Sequence, residues 1–176
     1  MPRRLLLLIL TPLLTGCDPG GLDLYSPTDA RDYVRSCARA RSDVMCRAMQ
    51  PTLAATTGPV SVLLPNDGDD NREQALARFL AGRGTTLTAF RSEPALQAAF
   101  ARANIFPVAQ LTTGTHRTLD GTPHEVTCTD QGTGLGPDCR LGPLRGLDHM
   151  HHLKPRADSL YATSPTTPGT LPFFPF

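Results

Sequence analysis

The sequence has no excess of charge of either sign. Its 17 lysine and arginine residues stand against 16 aspartates and glutamates, which gives a formal net charge of +1 at pH 7. The charges are interspersed along the chain, so the sequence predicts no basic face of the kind that binds nucleic acid. We therefore do not expect a nucleic acid as the partner.

Sequence motifs of common enzyme classes are also missing. The chain contains no G-x-S-x-G motif, no C-x-x-C motif and no glycine-rich phosphate loop. His116 and His124 have no candidate nucleophile at a recognisable spacing. We therefore expect a protein that is not an enzyme and that needs no cofactor.

Long apolar runs are missing as well, and the most apolar stretch lies at the N-terminus. Residues 5–14 follow Arg3 and Arg4 and make up about half of the roughly 20 residues that a membrane-spanning helix needs. A short apolar run after a basic start is typical of a cleaved export signal. The run ends in LTGC, residues 14–17, which resembles the lipobox of bacterial lipoproteins.

The lipobox resemblance implies a signal peptide over residues 1–16 and a lipid-modified Cys17. Two or three acyl chains on one cysteine would anchor the protein firmly, because a single chain binds membranes only marginally. We expect a protein on the bacterial cell membrane that faces the periplasm or the cell exterior, with inner and outer membrane both open. Residues 17–28 are expected to be a flexible tether, because glycine and proline disfavour regular structure.

Four cysteines remain after Cys17, an even number in a protein expected to be exported. Such cysteines are usually oxidised. Of the three possible pairings, we favour Cys37–Cys46 with Cys128–Cys139; free buried thiols are the alternative. In one straight helix, nine residues rise about 13.5 Å, whereas a disulfide needs Cα atoms within about 7 Å. Cys37 and Cys46 can therefore pair only if the chain bends between them.

Hydrophobic periodicity predicts helices in the first part of the chain and mostly strands in the second. The acidic run NDGDD is interpreted as a turn before a helix cap, since its spacing does not match a calcium-binding EF-hand loop. Residues 157–176 are rich in threonine and proline, lack periodicity and are predicted to be disordered. The expected elements are helices over 29–41, from Ser42 to Pro51, from Asp70 to 82–84 and from Ser92 to Asn104, and strands over 59–65, 85–90, 108–113, 116–120 and 124–128.

Three stretches of the chain resemble the motifs of a fasciclin domain. In that family an apolar strand ends in Phe-Ala-Pro-Thr-Asn/Asp; here VLLPND contains Pro65, Asn66 and Asp67. A family helix leads into Tyr-His-apolar-apolar-Pro; here ANIFP contains Asn104. The family motif Asn-Gly-Val-apolar-His and a closing strand ending in Pro correspond to residues 145–155, which contain Gly146 and His149.

The fasciclin resemblance covers residues 29–156. It implies an α+β fold, a wedge of two β-sheets with several short helices packed at one side. Fasciclin domains serve mostly as extracellular adhesion or interaction modules and are not generally enzymes. The resemblance therefore implies a non-catalytic module on the cell envelope whose partner is an envelope protein or polysaccharide.

Three histidines fall within four positions at His149, His151 and His152. In the fasciclin interpretation His149 is structural and inward-facing. Its usual hydrogen-bond partner is replaced here by Asn104, whose amide can still bond an imidazole.

The alternative interpretation of these histidines is a zinc or copper site. Residues two apart on a strand lie on one face, so His149 and His151 can share an ion, and imidazole suits both metals. Asp148, His152 or His124 would supply a third ligand, which a stable site needs. This alternative predicts an envelope metal-binding lipoprotein.

Overall fold

A computed structural model describes residues 29–40, 43–66, 72–132, 136–148 and 158–176. Its elements confirm the expected α+β class. Within these residues, no helix is both long enough and apolar enough to cross a membrane. The helices are α1 (Ala30–Ala40), α2 (Val44–Ala55), α3 (Arg72–Gly82), α4 (Leu87–Ser92) and α5 (Pro94–Ala103). The strands are β1 (Ser61–Pro65), β2 (Ile105–Phe106), β3 (Gly114–Arg117), β4 (Pro123–Asp130), β5 (Pro137–Leu141), β6 (Leu144–Asp148) and β7 (Ser159–Pro165).

The first two helices are separate, as the cysteine spacing requires. Helix α2 begins at a new cap, where the Asp43 carboxylate accepts hydrogen bonds from the backbone amides of Met45 and Cys46 at 2.9 and 2.8 Å. This helix was expected to begin at Ser42, and the next residue, Asp43, is the one that caps it. The break brings Cys37 and Cys46 to a Cα–Cα distance of 6.0 Å, and the structure joins them in a disulfide.

Two predictions for the helical half of the chain are wrong: the end of α2 and the type of element near residue 90. Pro51 was predicted to end α2, but it lies inside that helix, which continues to Ala55. Burial of Leu53, two residues further on, favours continuation, although proline lacks one backbone hydrogen-bond donor. Residues 85–90 were predicted to be a strand, yet residues 87–90 belong to α4. The Thr86 hydroxyl caps that helix by accepting from the Ala89 amide at 3.1 Å.

The seven strands form one mixed sheet in the order β2-β1-β7-β6-β5-β4-β3, which curves nearly into a barrel. The fasciclin resemblance implied two sheets. Strands β3 to β7 pair antiparallel in succession, whereas β7 lies parallel to β1. Cys128 and Cys139 are directly opposite each other on β4 and β5 and form the second disulfide. The two local disulfide pairings expected from the sequence are thus the ones present.

The C-terminal segment is the largest correction to the sequence analysis. Residues 157–176 were predicted to be a disordered tail, and the domain was expected to end at residue 156. Instead β7 lies between β1 and β6, with Tyr161 fully buried. Beyond β7, Phe173 and Phe174 are 1% and 4% exposed. The threonine and proline content concealed a strand whose two faces are both covered.

The core has two parts, one on each face of the sheet. The larger lies between the helices and the strand pair β1–β7 and includes Val62, Leu64 and Leu160. The second lies on the opposite face and includes Leu63 and Tyr161. The outer face of strand β4 is not covered by other elements. Val126 on its inner face is buried, whereas the neighbours Glu125 and Thr127 are exposed. The sheet is therefore open to solvent on the outer side of its β4–β6 half.

Candidate functional site

Several of the site residues expected from the sequence lie outside the described residues. These are the lipidation site Cys17, the motif residue Asp67 and the cluster His149, His151 and His152. Strand β6 ends at Asp148, the residue before the cluster. The zinc or copper site therefore stays a prediction.

The remaining motif residues occupy tight structural positions. Pro65 is the last residue of β1, and the Asn66 amide donates to the Thr163 carbonyl of β7 at 3.0 Å. Gly146 lies where β6 passes close to β7, so that an added Cβ would be 3.3 Å from the Tyr161 Cβ. Contacts this close favour glycine at position 146. The described motif residues thus join β1, β6 and β7.

Asn104 holds the C-terminal segment in place. Its fully buried side-chain amide donates to the carbonyls of Phe100 and Phe174 at 3.0 and 3.2 Å. Its side-chain oxygen accepts from the Phe174 amide at 2.8 Å. Both N–H groups of the amide that could have bonded an imidazole are thus engaged by backbone carbonyls.

His116 and His124 are opposite each other on β3 and β4 and face the second core. The His124 ring stacks on Phe174 with a centroid distance of 3.8 Å, and Phe106 contacts both imidazoles edge-on. Burial lowers the pKa of His124, and the negative charge of Asp120 opposes this effect in part. His116 Nε2 donates to the Thr112 carbonyl at 2.8 Å. These histidines support the packing of the C-terminal segment.

Within the described ranges, one group of three side chains has the spacing of a metal site: Cys37, Asp43 and Cys46. Both sulfurs are joined in the disulfide. Zinc binds cysteine as a free thiolate, so this group is not a metal site in the oxidised protein.

A groove of about 610 Å³ between α1 and α2 carries several arginines. Arg31 lies at one end but is fully engaged: its Nε pairs with Asp158 at 2.8 Å, and its other nitrogens donate to backbone carbonyls. Arg35 pairs with Asp32 at 2.9 Å. The floor of the groove is apolar, formed by Val34 and Leu53. Most of the positive charge in this groove is already compensated.

The second depression lies on the open outer side of the sheet and measures about 290 Å³. We call its lining the arginine–threonine face. It combines hydroxyl groups, guanidinium groups and one carboxylate, contributed by strands β4 to β6 and the residue after β7. Its members are Thr127, Thr129, Asp138, Arg140, Arg145 and Thr166.

The register of the sheet brings the two arginines of this face together. Strands β5 and β6 are joined by the two residues Gly142 and Pro143, and Gly142 has φ +56°. A glycine at the first central position is typical of a tight hairpin turn. This turn places Arg140 directly opposite Arg145. Sequence reasoning missed the pair, although the arrangement Arg-Leu-Gly-Pro-Leu-Arg contains the signal for it.

The positive charge of Arg145 is compensated by a carboxylate on this face, and that of Arg140 is not. The Arg145 Nε lies 3.0 and 2.8 Å from the two carboxylate oxygens of Asp138, and a second nitrogen also donates to Asp138. The pairing with Asp138 raises the pKa of Arg145. Within the described residues the Arg140 guanidinium makes neither a hydrogen bond nor an ion pair. The face can therefore bind a group that accepts hydrogen bonds and carries negative charge.

Neither a protein-family model nor a curated protein matches the chain. The resemblance to fasciclin domains thus remains an expectation from the sequence motifs.

Proposed function

We propose that this chain is a lipid-anchored, extracytoplasmic interaction module of fasciclin type that acts by binding and not by catalysis. Cys17 would carry the lipid, and the folded part would present a binding surface to an envelope protein or polysaccharide. The observation that carries the binding role is the arginine–threonine face, an open polar surface on a sheet with a cross-strand disulfide.

The two disulfides support a location outside the cytoplasm. Disulfides persist in oxidising compartments and are rare in the cytosol, where thiols are kept reduced. Both pairs here are local, and each joins neighbouring elements: α1 to α2 and β4 to β5. An export signal and a disulfide-stabilised fold are consistent with each other.

The order of elements supports the fasciclin type. Two helices precede a strand that ends at Pro65, α5 leads directly into β2, and an antiparallel series of strands follows. The strand that ends in proline next to β1 is β7, at Pro165, downstream of the position expected from the motif. If β7 is the closing strand, the proposed fasciclin-type domain includes Phe173 and Phe174, which pack beyond it.

A rigid scaffold suits the binding role. The disulfide between Cys128 and Cys139 connects the two strands that carry Thr127, Thr129, Asp138 and Arg140. Side chains on such strands keep their spacing, so little ordering entropy is lost when a partner binds. The face is therefore suited to a partner with a regular spacing of polar groups.

The proposed anchor and compartment are tested together by expressing the full chain in a bacterial host with a clickable fatty-acid analogue. We expect the label on the membrane-bound protein, a mass that corresponds to cleavage before Cys17, and both disulfides in the peptide map. Cys17→Ser is the matched control, because it removes the lipidated sulfur and leaves the rest of the signal unchanged. An unlabelled, uncleaved wild-type chain with reduced cysteines would contradict the proposal.

A further inference from the structure

Two like charges are neighbours at the centre of the arginine–threonine face. Arg140 and Arg145 are directly opposite each other on adjacent strands. Like charges directly opposite in a sheet destabilise it. Asp138 compensates Arg145 through a two-pronged contact. One positive charge, on Arg140, remains without a partner among the described residues.

The surroundings of Arg140 are hydroxyl-rich. Thr127 is its direct cross-strand neighbour on β4, and Thr129 follows two residues later on the same side. Both threonines are exposed. The depression, at about 290 Å³, lies just below the range of about 300–1,000 Å³ for small-molecule sites.

We propose that this face binds the carboxylate of a uronic-acid unit in an acidic envelope polysaccharide. This inference deepens the proposed function by naming the class of partner, and it rests on the location proposed above. The guanidinium of Arg140 would receive the carboxylate, since its planar fork matches carboxylate geometry. The hydroxyls of Thr127 and Thr129 bond sugar hydroxyls, and Asp138 accepts a further sugar hydroxyl beside Arg145.

The lining favours a glycan over an acidic peptide. Protein interfaces usually depend on buried aromatic or apolar anchors, and every side chain that lines this depression is polar or charged. The strands beneath it are paired on both sides, so their backbone groups are not available for the addition of a peptide strand. A hydroxyl-rich anionic ligand matches the groups that remain.

The rival anion site is the groove between α1 and α2. Its arginines include Arg31 and Arg35, which already pair with carboxylates, and its floor is apolar. The remaining arginine, Arg39, makes no ion pair within the described residues, so each site offers one uncompensated guanidinium, but the lining of the groove contains no hydroxyl side chain that could bond a sugar. The two sites are far apart in the sequence, so a residue-level measurement separates them.

The test is a titration of the ¹⁵N-labelled, oxidised protein, purified as the cell exports it, with tetragalacturonate. We expect amide shifts concentrated at Thr127, Arg140 and Arg145, and weakening of the affinity as ionic strength rises. Maltotetraose, a neutral tetrasaccharide, should bind at least tenfold more weakly. Shifts confined to α1 and α2, or equal affinity for the neutral sugar, would overturn the proposal.

Three variants sharpen the test. Arg140→Gln should weaken tetragalacturonate binding at least tenfold, because it removes the uncompensated charge. Asp138→Asn should strengthen binding, because it frees Arg145 and removes the one negative group. Arg78→Gln removes an exposed arginine from α3 and should leave the affinity unchanged. Unchanged affinity in Arg140→Gln would overturn the assignment of this residue.

A peptide control decides the class of partner. Hexaglutamate carries the same kind of charge without sugar hydroxyls. We expect it to bind more weakly than tetragalacturonate and to lose this binding at moderate salt. Binding of hexaglutamate that is as tight as that of the glycan would overturn the glycan assignment. None of these outcomes depends on the lipid, so failure here is distinguishable from failure of the proposed anchor.

Discussion

At the scale of single residues, Asn104 shows how one buried amide connects two segments that are distant in the sequence. Its three hydrogen bonds reach Phe100 at the end of α5 and both backbone groups of Phe174. The sequence motif predicted only that Asn104 stands where fasciclin domains have a histidine. The contact with Phe174 spans 70 residues, so local pattern could not have revealed it.

Asn104→Ala should lower the free energy of unfolding by about 2–3 kcal/mol, because buried backbone groups of Phe174 lose their partner. Urea denaturation followed by circular dichroism measures the change. Gln74→Ala removes an exposed amide from α3 and should stay within about 0.5 kcal/mol of the unmodified protein. Equal effects of the two substitutions would show that the Asn104 bonds contribute little.

His124 predicts a dependence of stability on pH. Burial lowers the pKa of His124 in the folded state below its usual value of about 6.5. The unfolded chain therefore binds more protons once the pH falls below about 6.5, and stability is lost progressively down to the folded-state pKa. Well above pH 6.5 both states are neutral at this residue and the contribution is constant.

The measurement is the free energy of unfolding in urea between pH 5 and pH 8. His124→Phe keeps a ring that can stack on Phe174 but cannot titrate, so it should reduce the decline below pH 6.5. The range avoids the usual titration of carboxylates, which lies near pH 4. An identical decline in the variant and the unmodified protein would assign it to other groups.

The histidine cluster yields a prediction that is independent of the described fold. If His149 and His151 share an ion, zinc or copper should bind stoichiometrically with a dissociation constant in the micromolar range or tighter. Calorimetric titration of the oxidised protein measures this, and the double substitution His149→Ala with His151→Ala should abolish it. Weak binding that survives the double substitution would leave these histidines with a structural role.

At the scale of elements, the sequence predicted those whose periodicity is strong. Helix α5 and strand β1 were recognised from Phe100 and Val62 on regular apolar faces. Residues 85–90 were not, because alternating threonine and leucine favours a strand, whereas the Thr86 cap and the buried Phe90 decide for α4. The pairing of the arginines on the sheet face was missed because it depends on register, which a two-residue turn sets.

Arg31 and Asp158 connect four elements through one ion pair. Arg31 extends from α1 to the carbonyls of Thr56 and Gly58, just beyond α2, at 3.1 and 2.7 Å. Asp158, just before β7, also accepts from the Val60 amide ahead of β1 at 2.7 Å. Its side chain is 4% exposed, and that of Arg31 is 24% exposed. The pair thus fixes the start of β7 beside the start of β1.

Asp158→Ala should destabilise the protein by about 3 kcal/mol, the lower end of the cost of breaking a buried pair, because Arg31 keeps some contact with water. Asp158→Asn should cost less, since an amide oxygen can still accept from Val60. Glu73→Ala, which removes the exposed pair between Glu73 and Arg91, should cost less than about 1 kcal/mol. Thermal unfolding compares the three. If Asp158→Ala matched the exposed control, the ion pair would not secure β7.

At the scale of the whole molecule, the composition of residues 157–176 led to a wrong prediction of disorder, because the sheet topology gives this segment a place in the core. A segment rich in threonine and proline usually buries too little apolar surface to fold. Here Leu160 and Phe173 of this segment are buried in the first core, and Tyr161 and Phe174 are buried in the second. Phe173 and Phe176 join Phe79, Phe90 and Phe100 in one aromatic cluster. No local pattern predicts that a late strand will pair in parallel with the first one.

Truncation after Arg156, the domain boundary expected from the sequence motifs, should therefore abolish cooperative unfolding. Loss of β7 separates β1 from β6 and exposes both cores, and loss of Phe173 alone would cost about 3–5 kcal/mol. The overall stability of a domain is typically about 5–15 kcal/mol, so the remaining chain should not stay folded. Thr167→Ala, in the exposed turn after β7, is the control and should unfold like the unmodified protein. A truncated chain that kept a sharp thermal transition and two intact disulfides would show that residues 157–176 are an addition to a domain that folds without them.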